Sequence, residues 1–149
     1  NSCRGSTITV DGNINGIVCN GEDACRGSII EIINPSNHFT VFCDASFACE
    51  SLQLSIIVND PSITSLGTIS CNGISSCENI RISVSTQLPY PANQVLIIQS
   101  LTCGAQRACA NAQVIKSGNI DFTNCFCATG VMDFACVGLT GLVDKCLPM

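Results

Sequence analysis

Charge is scarce in this sequence. Asp, Glu, Lys and Arg supply 11% of its 149 residues, against roughly 25% in an ordinary soluble domain. A disordered chain combines high charge with low hydrophobicity, so that class is excluded by a hydrophobic content of 46%. The six Lys and Arg stand singly and the net charge is −5. The basic clusters that grip a phosphate backbone are missing, and nucleic acid is not an expected partner. Long apolar runs are missing as well. The longest, Leu54 to Val58 and Val95 to Ile98, are strand-sized and far short of the ~20 residues of a membrane-spanning helix, so no membrane span is expected. Trp is absent, aromatics reach only 5%, and His38 is the single histidine. The chain opens Asn1-Ser2-Cys3, with no basic stretch or apolar signal core behind it. A mature, processed or partial chain is expected from that start.

Cysteine is what the sequence has in excess, with 13 in all. Zinc and other metal clusters want Cys-x2-Cys pairs or nearby histidines. The first are absent here and the second reduce to His38, so no metal and no cofactor is expected. Disulfides in an oxidising, extracellular setting are the better account, which predicts a secreted protein.

Alignment on the cysteines exposes a repeat: Cys19-Asn-Gly-Glu-Asp-Ala-Cys25, Cys43-Asp-Ala-Ser-Phe-Ala-Cys49, Cys71-Asn-Gly-Ile-Ser-Ser-Cys77 and Cys103-Gly-Ala-Gln-Arg-Ala-Cys109. Each carries Gly or Ala two residues after its first cysteine and Ala or Ser just before its second. The starts at 19, 43, 71 and 103 give repeats of 24, 28 and 32 residues. Between corners lie short β-branched runs: Ser28 to Ile33, Phe39 to Cys43, Leu52 to Val58, Gly67 to Cys71, Ile80 to Val84, Gln94 to Ile98, Ala112 to Ile115 and Ile120 to Phe122. They are bounded by Pro, Gly and Asn, which marks strands rather than helices.

Repeats of this length with two or three strands each suggest a solenoid, where every coil buries its face on its neighbours. All the extra length is expected between the two strands of a coil, where loops project outward. A β-sandwich also has short strands and turns but gives no reason for one corner to recur. The predicted fold is therefore all-β, a right-handed parallel β-helix of about five coils with disulfide-bridged corners. Residues 1–149 are expected to form a single domain, with coils starting near 3, 25, 49, 77 and 109 and a cap or docking segment over 125–149.

Stacked coils lie ~4.8 Å apart, so equivalent cysteines form ladders. Two pairings are open, across each corner or between successive coils. The small residues flanking the cysteines favour the corner, predicting Cys19–Cys25, Cys43–Cys49, Cys71–Cys77 and Cys103–Cys109. The spacing also resembles the Cys-x5-Cys bridge of the beetle antifreeze solenoids. In style the repeat resembles Cys-rich repeat proteins of protist and algal surfaces.

Five cysteines are left over: Cys3, Cys125, Cys127, Cys136 and Cys146. Cys3-Arg-Gly-Ser matches Cys25-Arg-Gly-Ser, which places Cys3 in the second-cysteine slot of a corner, while Cys125 fits a first-cysteine slot. Cys3 either bonds a cysteine of another copy, or has lost an upstream partner, or reaches another leftover in its own chain.

Solenoid ends present open backbone edges that template a further chain, and head-to-tail contact without closure gives a filament. A structural subunit of an extracellular filament or surface layer is the leading expectation, self-associating end to end and disulfide-linked; the same features fit one module of a longer solenoid. The chain is not expected to be an enzyme. A polysaccharide-cleaving β-helix needs clustered carboxylates, whereas Glu31, Asp44, Glu50, Glu78 and Asp121 fall on different coils and Glu22-Asp23 is the only adjacent pair. His38 sits in a loop, where it is read as solvated. Ice binding, which the antifreeze resemblance implies, wants Thr-x-Thr on successive coils, and Thr7-Ile-Thr9 stands alone. Glycans are a further candidate partner, with Tyr90 as the one tyrosine for stacking. The glycosylation triplet Asn34-Pro-Ser is blocked by its proline.

Overall fold

The computed structural model describes residues 3–128, 135–142 and 146–148. Every named element is a strand, and every strand pairing is parallel. No helix among the described residues is long and apolar enough to cross a membrane. The chain winds as a parallel β-solenoid of about five coils. Each coil gives one strand to each of two sheets. The first sheet stacks β1 (Thr7–Asp11), β3 (Ile29–Ile33), β5 (Gln53–Val58), β7 (Arg81–Thr86) and β9 (Gln113–Ser117) in that order. The second stacks β2 (Gly16–Val18), β4 (Thr40–Phe42), β6 (Ser65–Cys71), β8 (Leu96–Cys103), β10 (Ile120–Cys127) and β11 (Cys146–Pro148).

Alternation of side chains across each strand sets the register, because a slip of one residue would turn every apolar side chain outward. In the first sheet Ile8, Ile30, Leu54, Ile82 and Val114 lie over one another along the axis. The four after Ile8 are buried. The parallel row Val10, Ile32, Ile56 and Val84 does the same one pleat along. In the second sheet the matching row is Ile17, Val41, Ile69, Leu101, Cys125 and Cys146. Large aliphatic side chains thus fill the space between sheets, while the outward positions carry both polar residues and the exposed Ile29 and Ile115.

The second sheet departs from simple alternation. Leu66, Ile98 and Phe122 point inward, as do Ile69, Leu101 and Cys125 three residues later. The pleat slips by one between them, at Thr68 and Ser100, whose hydroxyls hydrogen-bond across coils at 3.0 Å. The three strands run on from here to the cysteine corner. The register bears out the expectation that added length lies between the strands: β3 and β5 pair Ile29 with Gln53 while β4 and β6 pair Val41 with Ile69, so the residues gained enter between the first strand and the second. The same holds one coil on, where β5 and β7 pair Gln53 with Arg81 and β6 and β8 pair Ser65 with Ile97. The second strands run further than expected, β8 to Cys103 and β10 to Cys127, beyond the predicted ends at Ile98 and Phe122.

Candidate functional site: the cysteine corners and the first coil

Each corner is built from two features of its own sequence. The backbone turns twice through the left-handed region, four residues after the first cysteine and two after the second. Asp23, Phe47, Ser75 and Arg107 hold the first position at φ 52–59°. Gly27, Ser51, Asn79 and Asn111 hold the second. Within the turn alternate N–H groups bond a carbonyl three residues back: Ala24 to Gly21, Arg26 to Asp23, and Ser28 to Cys25 at 3.2 Å. Between coils the second cysteine's N–H donates to the residue before the next one: Cys25 to Ala48, Cys49 to Ser76, Cys77 to Ala108 and Cys109 to Ala135, at 2.6–2.7 Å. The corners therefore stack as a third hydrogen-bonded wall.

Disulfides join Cys19–Cys25, Cys43–Cys49, Cys71–Cys77 and Cys103–Cys109, each with a sequence separation of 6. At Gly73 the small residue has a further reason: a Cβ there would collide with the Ala45 carbonyl of the adjacent coil, whereas one on the equivalent Gly21 would meet only Ala24 Cβ at 3.7 Å.

The C-terminal cysteines are also bonded within the chain. Cys127 pairs in register with Cys103 and bonds Cys136 across a separation of 9. Cys127, rather than Cys125, holds the first-cysteine slot, and the fifth corner is three residues longer than the others. Gly138, two after Cys136, has the expected left-handed φ of 75°, and Leu139 N–H returns to the Cys136 carbonyl. Cys125 sits one pleat earlier, facing the core, and bonds Cys146, its register partner on β11. Both pairing modes are thus used: corner bridges along the solenoid and one coil-to-coil bridge at its end. Of the cap expected over 125–149, Ala135, Leu139 and Leu142 are buried; residues 129–134, 143–145 and 149 lie outside the described residues.

Cys3 is exposed and free. Its carbonyl accepts the hydroxyl hydrogen bond of buried Ser28, and Gly5 N–H donates to Arg26 at 3.0 Å, so it begins a coil like its neighbours. The apolar side chains of this first coil are less covered than their successors. Ile8, Val10, Ile14 and Ile17 are only partly buried, while Ile30, Ile32 and Val41 are 3%, 0% and 0% exposed. β1 and β2 are each paired along one edge alone among the described residues.

The acidic residues occupy the outside as separate structural partners. Arg26 lies 3.0 Å from both Asp23 and Glu50 and stands 5.7 Å over the Phe47 ring. The two carboxylates, led by the Asp23 hydrogen bond, raise the Arg26 pKa further. Arg4 reaches Asp23 at 3.8 Å, and Arg107 pairs with Glu78. Asp44 accepts from Ser70 and Asn72, Glu22 is exposed, Glu31 faces outward on β3, and Asp121 lies on β10. Among the described residues no three carboxylate or imidazole groups come within 4.8 Å of one another. The sulfur clusters that do are drawn from bridged cysteines. His38, at φ 63°, is exposed with Nδ1 3.1 Å from Gln99 Nε2. Thr7 and Thr9 are stacked on Ile29 and Glu31, so no threonine face continues from them.

Tyr90 is not available for stacking on a sugar. It is 4% exposed, its hydroxyl donates to the Ile63 carbonyl at 3.1 Å, and burial raises its pKa above the ordinary value.

Compared with family models, curated proteins and solved structures, the chain matches none.

Proposed function

We propose that this chain is a structural subunit of an extracellular filament or surface layer, joined to further copies along the solenoid axis. The observation that carries the reading is the first coil. Its row of Ile8, Val10, Ile14 and Ile17 is half-covered, whereas the next coil's row is closed. Strand edges that lack a partner are templates for another coil, and the apolar row beneath them adds a hydrophobic gain on stacking. The coil that meets that end is supplied by a second copy of this chain, although a preceding coil of a longer chain would have the same chemistry. The density of bridged cysteines supports an oxidising compartment.

The test is sedimentation and electron microscopy of the purified, oxidised chain over a range of concentrations. Concentration-dependent end-to-end particles are expected, with Val10→Glu shifting them to monomers and Cys3→Ser removing any fraction that non-reducing gels show as covalent. Monomers at every concentration, or assemblies indifferent to Val10→Glu, overturn the reading.

A further inference from the structure

We propose that the outer face of the first sheet carries a groove for a sulfate-ester-bearing oligosaccharide, centred on Arg81. This surface is a side of the solenoid, independent of the end-to-end assembly above. Six residues line it: Ser51, Gln53, Asn79, Arg81, Asn111 and Gln113, around a volume of about 360 Å³. They come from three successive coils. Gln53, Arg81 and Gln113 are register partners on β5, β7 and β9. Ser51, Asn79 and Asn111 are the left-handed corner residues two positions before them. The result is two parallel polar rows with one step per coil, ~4.8 Å. All six residues are exposed.

Charge identifies the occupant. Arg4, Arg26 and Arg107 are each ion-paired, whereas Arg81 has no carboxylate within 4.0 Å among the described residues. An unpaired guanidinium is a planar fork for an oxyanion. Around it stand four side-chain amides, of which Asn79 and Asn111 already touch at 3.4 Å. Amides both donate and accept, which suits sugar hydroxyls on either side of the anion. The Arg81 fork satisfies two oxygens, and the Gln53 and Gln113 amides one coil to either side offer a neutral N–H for the third terminal oxygen that a sulfate ester has and a carboxylate lacks. A single cation on a chain of net charge −5 suits one anionic group per bound stretch and disfavours a densely charged polymer. A peptide adding as a strand is not served here, because β5 and β7 are paired on both edges.

Titration calorimetry with the intact oxidised chain tests this, using a κ-carrageenan-type tetrasaccharide, its desulfated counterpart and a tetramannuronate. Binding of the sulfated sugar is expected, with the other two weaker by about tenfold or more, the loss of one charge-assisted pair. Arg81→Gln should weaken it to the same extent while leaving the unfolding midpoint unchanged, since that side chain is exposed and unpaired. Gln113→Ala should cost a few-fold, and Glu22→Gln nothing. Absence of binding at millimolar sugar, equal affinity for the desulfated or uronate probe, or full binding by Arg81→Gln each overturns the proposal.

Discussion

Gly73 and Ser76 stand three residues apart in one corner and are constrained in opposite ways. Gly73 is small because the Ala45 carbonyl of the preceding coil occupies the place of a Cβ. Gly73→Ala is therefore expected to destabilise by about 1–3 kcal/mol, the range for overpacking against a backbone that cannot retreat, read from denaturant unfolding. Ser76 fills the slot that Ala24, Ala48 and Ala108 fill elsewhere, and its buried hydroxyl has no hydrogen-bond partner. An unmet buried hydroxyl is a net cost, so Ser76→Ala should raise stability by about 1 kcal/mol, while a loss would mean that the hydroxyl is satisfied. Tyr90 offers a spectroscopic test, being the only tyrosine. Burial favours its neutral form and raises its folded pKa. Its contribution is complete below the unfolded value of about 10 and is lost as pH rises through the folded value. Absorbance titration should show its phenolate appearing at higher pH than in the unfolded chain; coincident curves would place the ring in solvent.

At the scale of the element, the strands are stabilised by what they turn inward. Ile56 is 1% exposed, and Ile56→Ala is expected to cost about 2–5 kcal/mol. Ile115 is 37% exposed on the outer face of β9, and Ile115→Ala should change stability by no more than about 0.5 kcal/mol. Thermal unfolding of the two variants side by side reads the difference, and equal effects would contradict the inward and outward assignment. The strands of the first sheet were legible in the sequence because each centres on a β-branched run bounded by Pro, Gly or Asn. The corners were legible because one backbone path recurs and each time selects small residues. The second sheet was only half legible, since the polar residues Gln99, Ser100 and Thr102 interrupt the apolar run that ends at Ile98. Cys127 was missed for a related reason: the fifth corner is longer, so a fixed spacing of six could not find its partner. One signal was present. Leu96, Ile98, Leu101 and Cys103 repeat as Ile120, Phe122, Cys125 and Cys127, and that row places Cys127 without reference to spacing. The polar groove around Arg81 was not readable at all, because it brings together residues from three coils whose register only the stack defines.

For the whole molecule, the two ends differ in kind. The C-terminal end is drawn together by Cys125–Cys146 and Cys127–Cys136. The first coil leaves a half-covered apolar row and a free thiol. Stacking of equivalent corners on one axis underlies all of it: the buried rows, the wall of corner hydrogen bonds, the end proposed for assembly and the side groove. That stacking dictates which cysteines can meet. Corner pairs alone would also be compatible with isolated turns, but Cys125–Cys146 forms only when β11 lies in register on β10. The most direct measurement is disulfide mapping by mass spectrometry of the unreduced, multiply digested monomer. The account predicts Cys19–Cys25, Cys43–Cys49, Cys71–Cys77, Cys103–Cys109, Cys127–Cys136 and Cys125–Cys146, with Cys3 unbridged within the chain. Bridges joining different corners, or Cys146 bonded to anything but Cys125, would contradict it.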